Sequence, residues 1–248
     1  MEAKTAIITG ASTGIGKATA HHFLNKGYQL VLNSANEERL STAFRDLGES
    51  VRVIMVAGDI SKPEVQKELV EAAISKFGKI DVLINNAGVF APKPFLDVEP
   101  KDLDRFLNVN LKGTYFLSQL VVKQMLRQAG GSIINIGTVL VDHAIAGFPS
   151  TAPVSSKGAI HALTKQLAAE FGKDNIRVNT VAPGIIRSPL QGKIGVENSD
   201  DLAGLHLLNR IGETNDVAEI LFSLAESSFI TGEIVNVDGG HVAGHQFG

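Results

Sequence analysis

The first residues with a chemical signature are three glycines in TGASTGIGKA, residues 9–18. This stretch directly follows the β-branched run TAIIT and opens a helical pattern. Gly10, Gly14 and Gly16 allow a tight turn and close backbone approach, and a helix N-terminus offers N–H groups and partial positive charge to a pyrophosphate. The segment therefore predicts a nucleotide-binding loop. Its G-x-x-x-G-x-G spacing differs from the common dinucleotide fingerprint, and the missing lysine-serine ending of a P-loop argues against an NTPase.

A second group of chemically capable side chains lies between Thr138 and Lys157. The stretch TVLVDHAIAGFPSTA (138–152) carries Asp142 and His143. An imidazole with a pKa of about 6.5 is a competent general acid, and a neighbouring carboxylate could orient it. A surface or packing histidine is the alternative interpretation. Ser155 and Ser156 are more typical of a first helical turn than of a proton donor, since a hydroxyl without a base is a weak acid.

Seven short β-branched runs alternate with longer amphipathic segments, and these elements must position the chemical groups. Most of the runs are continuously apolar, which is typical of strands covered on both faces. The pattern predicts one α/β domain over residues 1–248, with a Rossmann-type doubly wound parallel sheet and helices on both faces. Helices are expected at 63–77 and 156–171. The predicted strands are 5–9, 29–33, 51–56, 81–85, 132–136, 176–181 and 233–237.

One stretch, residues 185–210, breaks this alternation with helix breakers and a leucine-rich piece. In an α/β fold, such an insertion after the carboxyl end of a strand tends to cover the ligand crevice. We therefore expect the insertion and the 138–152 loop to wall a partly apolar substrate pocket. Core packing would explain the same Leu, Ile and Val residues equally well.

Composition excludes several classes of protein. The chain of 248 residues has 23 basic and 26 acidic side chains, a net charge of −3 and no basic run, so nucleic acid and anionic membranes are not expected partners. It contains no cysteine, which excludes disulfides, thiolate nucleophiles and cysteine-ligated metals. No apolar run approaches the roughly 18 residues of a membrane span, and the N-terminus does not resemble a signal peptide. A cytoplasmic location is the resulting expectation.

Several motifs, taken in order, resemble those of the short-chain dehydrogenase/reductase family. They span almost the whole chain, and together they are far more specific than any single one. The resemblance implies a Rossmann-type fold and an NAD(P)-dependent oxidoreductase that acts on a carbonyl or alcohol group of a small molecule. The motifs are TGASTGIG, GDI (58–60), NNAG (85–88), NVNLKG (108–113), INIGT (134–138), Lys157, APGII (182–186) and ITGEIVNVDGG (230–240).

The resemblance also implies roles for individual residues. Asp59 would contact the adenine, Asn110 would position a water that links the lysine to solvent, and Lys157 would bind the nicotinamide ribose. A local backbone hydrogen bond is the alternative for Asn110. The implied catalytic residues are Asn110, Thr138 and Lys157, with His143 as a speculative proton donor. The implied cofactor-binding residues are Gly10, Ser12, Thr13, Gly14, Ile15, Gly16, Ser34, Asp59, Ile60, Asn86, Ala87, Gly88, Lys157, Pro183, Gly184 and Ile186.

The chain departs from the family pattern at the catalytic tyrosine, four residues before the lysine, where it has Pro153. In the family the lysine lowers the pKa of the tyrosine, which protonates the substrate oxygen. Thr138 stands at the family's serine position and keeps a hydroxyl. Proline is well tolerated in the first turn of a helix, where its missing N–H has no partner. The expected helix caps are Ser150 and Thr151, and the chain's tyrosines, Tyr28 and Tyr115, lie elsewhere in the register.

Two functional hypotheses follow from this departure. A positioned general acid contributes about 10²–10⁴-fold to a rate, so loss of the tyrosine predicts an oxidoreductase with atypical or weak activity, whose proton comes from His143 or from water. The alternative is a nucleotide-binding or regulatory protein that retains the pocket without redox turnover.

Cofactor choice is commonly determined where the second strand ends, in LVLNSANEERL (30–40). Ser34 occupies the position of the acidic residue that binds the ribose of NAD, and Ala35 that of an arginine often found with NADP. The missing carboxylate and the small donors Asn33 and Ser34 favour NADP(H) over NAD(H).

The resemblance further implies a homo-oligomer, a dimer or tetramer, with the two long helices and the carboxyl end at the interfaces. No metal is expected. His241 and His245 are four residues apart in the glycine-rich tail, and two histidines are too few ligands for a metal site.

Overall fold

The structure is a computed structural model that describes residues 3–128, 130–193 and 198–244. The described residues contain seven strands, which confirm the seven predicted ones, and all of them pair in parallel. The third strand begins at Val53 instead of residue 51, because Val51 lies in an exposed turn. The strands are β1 (Thr5–Ile8), β2 (Gln29–Ser34), β3 (Val53–Ala57), β4 (Val82–Asn85), β5 (Gly131–Ile136), β6 (Ile176–Pro183) and β7 (Ile234–Val237).

The sheet has the order β3-β2-β1-β4-β5-β6-β7, which confirms the doubly wound prediction. The strands β2 and β3 are added on one side of β1, and β4 and the later strands on the other side. Ile8 of β1 therefore lies between Leu32 of β2 and Ile84 of β4. A crevice forms at the carboxyl ends of the strands where the strand order reverses in this way, and ligands of α/β folds bind there. The topology therefore locates the candidate site at the ends of β1, β4 and β5.

Helices cover both faces of the sheet. The predicted helix 63–77 is confirmed with the same bounds. The segment Leu107–Lys112, between the fourth and fifth helices, has π-helical geometry, a feature that is frequent at functional sites. The α-helices are α1 (Gly14–Asn25), α2 (Glu37–Asp46), α3 (Pro63–Phe77), α4 (Pro100–Phe106), α5 (Gly113–Met125), α6 (Thr151–Phe171), α7 (Pro189–Lys193) and α8 (Thr214–Glu226).

Two hydrophobic clusters lie on opposite faces of the sheet, because successive side chains of a strand point to opposite sides. Ile8 packs in the cluster that contains Phe23 of α1 and Leu221 of α8. Ile7, the preceding residue, packs in the other cluster, which contains Val121 of α5. Burying a side chain of this size stabilises the fold by about 1.5–3 kcal/mol. Both sides of the sheet are thus covered, as the continuous apolar runs predict.

The helix predicted at 156–171 starts earlier, at Thr151. The fixed φ of Pro153 suits the first helical turn, so the helix can begin before residue 156. Ser150 occupies the N-cap position, but its hydroxyl donates to Phe148 O at 3.3 Å, and the predicted side-chain cap is absent. Because of the earlier start, Ser155 and Ser156 lie in the second turn, and their assignment to the first turn was wrong.

The predicted insertion contains α7 and a 3₁₀ segment, Ser199–Leu205. Residues 194–197 of the insertion lie outside the described residues. A backbone bridge between Ile186 and Gly212 joins the two ends of the insertion. Among the described helices, none is long and apolar enough to cross a membrane.

Candidate active site

The glycine loop after β1 is held from behind by Asn86. The Asn86 Nδ2 group donates to Thr9 O at 2.9 Å and to Gly10 O at 3.1 Å. Gly10 has a φ of +65°, and a Cβ there would lie 2.8 Å from Asn86 Nδ2. A Cβ on Gly16 would lie 2.3 Å from Gly10 O. Both positions therefore require glycine, for conformation and close packing at the first and for packing alone at the second.

The loop opens into a cavity of about 620 Å³ at the carboxyl ends of the strands, which we call the crevice cavity. Every residue predicted at the cofactor lines it except Gly16, which packs behind the loop. Thr13, the N-cap residue of α1, makes no side-chain cap, so the first-turn N–H groups remain available to an anion. This cradle fits the pyrophosphate of a dinucleotide. The predicted residues that line the cavity are Gly10, Ser12, Thr13, Gly14, Ile15, Ser34, Asp59, Ile60, Asn86, Ala87, Gly88, Lys157, Pro183, Gly184 and Ile186.

Near the end of β2 the crevice cavity is lined by a positively charged side chain, Arg39, which the sequence analysis did not assign to the site. The hydroxyls of Ser12 and Ser34 lie 2.8 Å apart, and the exposed Arg39 of α2 lines the same cavity. The Asn36 side chain accepts a hydrogen bond from Arg39 N at 2.8 Å and so caps the helix that presents this arginine. The sequence offered one indication of this role, a basic residue in the first turn of the helix that follows the second strand. Arg105 of α4 also lines the cavity and was also missed.

Asn110, in the π-helical segment, clamps the loop that follows β4. Its Oδ1 accepts from Val89 N at 2.8 Å, and its Nδ2 donates to Val89 O at 3.0 Å and to Ser156 Oγ at 2.9 Å. These partners are distant in sequence, so the bonds differ from the local backbone bond of the alternative expectation, and the water-positioning role of Asn110 stays a prediction. Asn110 is fully buried and does not line the crevice cavity.

Lys157 and Thr138 meet at the end of β5. The Lys157 Nζ group donates to Ile136 O at 2.6 Å, and burial lowers the pKa of Lys157 to about 8. The Thr138 Oγ1 atom accepts from Leu140 N at 3.3 Å, which leaves the hydroxyl proton free to be donated. Both side chains line the crevice cavity. The arrangement places a hydroxyl donor and an amine of lowered pKa at one end of the cavity.

Pro153 is buried in the first turn of α6, one turn before Lys157. Its carbonyl oxygen accepts a hydrogen bond from Ser156 Oγ at 2.7 Å, and Ser156 in turn accepts from Asn110. The Ser156 hydroxyl therefore both donates and accepts within a buried hydrogen-bond network. The two tyrosines are remote in the fold: Tyr28 is buried against Glu226, and Tyr115 is 45% exposed on α5.

His143 packs away from the crevice cavity, in a row of three histidines. Its ring centroid is 5.0 Å from that of His241, and the His241 centroid is 5.6 Å from that of His206. His206 Nε2 accepts a hydrogen bond from Ile185 N at 3.2 Å. The row connects the 138–152 loop with the insertion and the C-terminal tail, while His245 lies outside the described residues. No group of three metal-ligating side chains suited to a metal ion occurs in the part of the chain that the structure describes.

Asp142, expected to orient His143, acts electrostatically on His161 of α6. Burial lowers the pKa of His161, and the Asp142 carboxylate opposes that shift. The His161 ring packs against Gly137, where a Cβ would lie 2.4 Å from His161 Nε2. The close packing of His161 therefore explains why glycine precedes Thr138.

The 138–152 loop is attached to the loop that follows β4. The rings of Phe90 and Phe148 stack with centroids 5.9 Å apart, and Lys93 N donates to Pro149 O at 2.8 Å. Phe90 also lines the crevice cavity. The two loops thus form one wall beside Thr138, with an aromatic face that the sequence did not indicate.

Comparison with known proteins identifies the class to which this fold and site belong. A family model described as enoyl-(acyl carrier protein) reductase matches residues 10–242. The chain is 36% identical to the 3-oxoacyl-[acyl-carrier-protein] reductase FabG of Thermotoga maritima, over 98% of this chain and 99% of that protein. The chain belongs to the short-chain dehydrogenase/reductase family, whose members are NAD(P)-dependent oxidoreductases.

Two solved structures resemble the chain over nearly their full length. The structure of ElxO with NADP bound has a TM-score of 0.90 and 32% identity, and the match covers 98% of this chain and 100% of that one. The 3-ketoacyl-(acyl-carrier-protein) reductase of Brucella melitensis, complexed with NADH, has a TM-score of 0.89 and 29% identity, with 97% and 99% covered. One neighbour carries NADP and the other NADH.

Proposed function

We propose that the chain reduces the carbonyl group of a small molecule, or oxidises the corresponding alcohol, with a nicotinamide dinucleotide. One observation carries this proposal: the glycine loop lines the same crevice cavity as Thr138 and Lys157. When bound, the reduced nicotinamide supplies a hydride. Thr138 holds the substrate oxygen by a hydrogen bond from its hydroxyl, and Lys157 binds the ribose. Asn110 acts indirectly, because it fixes the loop that carries Val89.

The site is atypical for the family. We infer that Pro153 stands where the family's catalytic tyrosine stands and that Thr138 replaces its serine. Two observations support this: Pro153 lies one turn before Lys157 on α6, and Thr138 lies two residues beyond the end of β5. The substitution leaves the helix intact and removes the usual proton donor. A reaction slower than that of a tyrosine-containing relative follows, by up to about 10²–10⁴-fold where no other acid replaces the tyrosine.

The walls of the site favour a partly apolar substrate. Phe90, Leu190 and Ile186 line the crevice cavity, and the last two belong to the insertion. We therefore propose that the insertion covers the substrate. The whole chain would then form one dinucleotide-binding domain. The Thermotoga relative reduces 3-oxoacyl groups carried on a protein. A β-keto thioester has a carbonyl beside an apolar chain, so it is the first substrate to be tried in a wider panel.

A cofactor titration followed by a substrate panel tests the proposed function. Calorimetry with NADPH and NADH is expected to show binding at sub-millimolar concentrations. Oxidation of the bound cofactor is then followed at its near-ultraviolet absorbance with β-keto thioesters, cyclic ketones and aldehydes. Absence of binding would reject the proposal. Binding without turnover of any substrate would favour the alternative, a nucleotide-binding protein without redox activity.

We propose NADP(H) as the preferred cofactor, because Arg39 lines the crevice cavity together with Ser12 and Ser34. An arginine and two hydroxyls suit a 2′-phosphate, and no carboxylate lies at Ser34 to repel it. Arg39→Glu is expected to weaken NADPH binding by at least about tenfold and to leave NADH binding within about threefold. Calorimetric titration of both cofactors measures the two effects.

Arg45→Glu is the matched control for this prediction. Arg45 lies on the same helix and donates to Thr42 Oγ1, and it does not line the crevice cavity. It should leave both affinities unchanged. Equal losses for NADPH and NADH in Arg39→Glu would contradict the assignment of Arg39 to the phosphate.

We also propose a homo-oligomer that buries the outer face of α5. Tyr115 and Phe116 are each 45% exposed there, and their rings contact each other edge to face. Exposed adjacent aromatic residues are typical of a surface that another chain covers. Phe116→Glu is expected to shift the protein toward the 26.3 kDa monomer in light scattering after gel filtration. Val51→Glu changes an equally apolar surface residue at the far edge of the sheet and should leave the mass unchanged.

A further inference from the structure

Without a tyrosine, the Thr138 end of the crevice cavity needs another proton source. The titratable side chains that line the cavity, within the described residues, are Arg39, Asp59, Arg105 and Lys157. An arginine does not release its proton in proteins. Asp59 follows β3, and β3 is four strands from β5 in the sheet, a separation of about 19 Å at about 4.8 Å per strand. Lys157 is therefore the remaining acid near Thr138.

We propose that the Lys157 ammonium group, and not a side chain of the 138–152 loop, supplies the proton to the substrate oxygen. The role rests on the proposed function and specifies its proton transfer. His143, the candidate from the sequence, does not line the crevice cavity, and its ring packs against His241. Ser156 cannot serve either, because its hydroxyl proton is donated to Pro153 O.

The geometry around Lys157 suits this role. The Nζ atom donates one hydrogen bond, to Ile136 O at 2.6 Å, and this bond anchors the amine two residues from Thr138. An ammonium group has three donors, so two remain for the ribose and for the substrate oxygen or an intervening water. A Cβ at Gly88, in the loop after β4, would lie 3.4 Å from Nζ, so Gly88 packs close to the amine. Lys157 lines the crevice cavity, so a ligand in the cavity can reach the amine.

The electrostatic surroundings keep the proton transferable. Burial lowers the pKa of Lys157 to about 8, so the group is protonated at neutral pH and yet gives up its proton at little cost. No carboxylate forms an ion pair with it among the described residues. The groups that face it from β5 and from the loop after β4 are the uncharged Ile136 O and Gly88. On α6 itself, His161 lies one turn further on, with Asp142 acting on it from the 138–152 loop.

The proton and charge balance is complete without another residue. The carbonyl carbon would gain the hydride that a bound reduced nicotinamide supplies, so the carbonyl would be reduced and the nicotinamide oxidised. The electron pair of the C=O π bond moves to oxygen, which Thr138 holds through its hydroxyl. The oxygen takes a proton from the Lys157 ammonium, either directly or through one water, and becomes the alcohol. Lys157 is left as a neutral amine and regains its proton from solvent.

The first test measures Lys157 without cofactor or turnover. The full-length protein is acetylated in competition with a reference amine at a series of pH values, and the modification of each lysine is quantified by peptide mass spectrometry. Lys157 is expected to titrate near pH 8, below the value of about 10.4 that is usual for an unperturbed lysine. Lys165, exposed on the same helix, is the reference. A Lys157 midpoint that coincides with that of Lys165 would overturn the proposal.

The second test uses the pH dependence of turnover. Reduction is expected to fall about tenfold per pH unit above pH 8, because the acid form of Lys157 is then lost. Lys157→Arg, which keeps the charge but cannot release a proton, should lower turnover by about 10²–10⁴-fold and change the cofactor affinity by less than about tenfold. Lys165→Arg, two turns further along the same helix, is the matched control. His143→Ala should leave the midpoint of the profile in place.

The outcomes separate this proposal from the function on which it rests. If turnover is present but His143→Ala moves the midpoint and Lys157→Arg does not lower the rate, the proton comes from the loop and only the role of Lys157 is rejected. If Lys157 titrates near pH 8 and no carbonyl compound is reduced, the proposed function fails, and the proton-source role fails with it.

Discussion

Replacing Pro153 by tyrosine is expected to raise the turnover number for carbonyl reduction by up to about 10²-fold, the lower end of the usual contribution of a positioned general acid, because Lys157 already supplies a proton at this site. Residues four apart on a helix lie on the same face, so a tyrosine at position 153 would lie next to Lys157. The ammonium group would stabilise the phenolate and lower the tyrosine pKa from its usual value of about 10. A first-turn N–H needs no helical partner, so the exchange leaves the hydrogen bonds of the helix unchanged.

Steady-state kinetics on the best substrate of the panel measure this effect, with Pro153→Phe as the control. The phenylalanine variant adds the same ring without a hydroxyl, so any benefit from filling the buried space appears in both variants. The gain should be confined to the tyrosine variant. Equal rates in the two variants would contradict the inference that position 153 is the vacant tyrosine position. Thermal unfolding of both variants shows whether the larger side chains are accommodated.

Removing the Thr138 hydroxyl is a second change with a large expected effect on turnover. Thr138→Val keeps the shape of the side chain and eliminates the donor to the substrate oxygen. Loss of one such donor typically lowers turnover by about 10²–10³-fold, because the charge that develops on oxygen is no longer stabilised. The substitution also removes the acceptor for Leu140 N, at a cost in stability of about 0.5–2 kcal/mol.

Thr138→Ser separates these two effects. It keeps the hydroxyl and should retain turnover within about threefold of the parent protein, since only a methyl group is lost. Chemical denaturation of all three proteins measures the cost in stability, which does not depend on substrate. A valine variant that keeps full turnover would show that the substrate oxygen is held elsewhere.

The sequence alone determined the elements and the nucleotide loop. Ile7 and Ile8 belong to a continuous apolar run, and a run covered on both faces can be recognised from local composition because adjacent strand residues point to opposite sides. Gly10 and Gly16 were recognisable for a similar reason, since a positive φ and the absence of space for a Cβ both demand glycine at the residue itself. At these positions the properties of the residue and its sequence neighbours were sufficient to predict the local structure.

Only the tertiary structure decided how the side chains around the site are used. Asn110 bonds to Val89 and Ser156, and His143 packs against His241, although each of these partners lies in a different segment. Such contacts depend on the order of the strands and on the paths of the loops between them, which local propensity does not encode. The motifs therefore predicted which residues surround the nucleotide crevice, and the sequence showed Pro153 in place of the tyrosine. The hydrogen bond that holds Lys157 at the end of β5, and the position of His143 outside the lining of the cavity, emerged only from the folded chain.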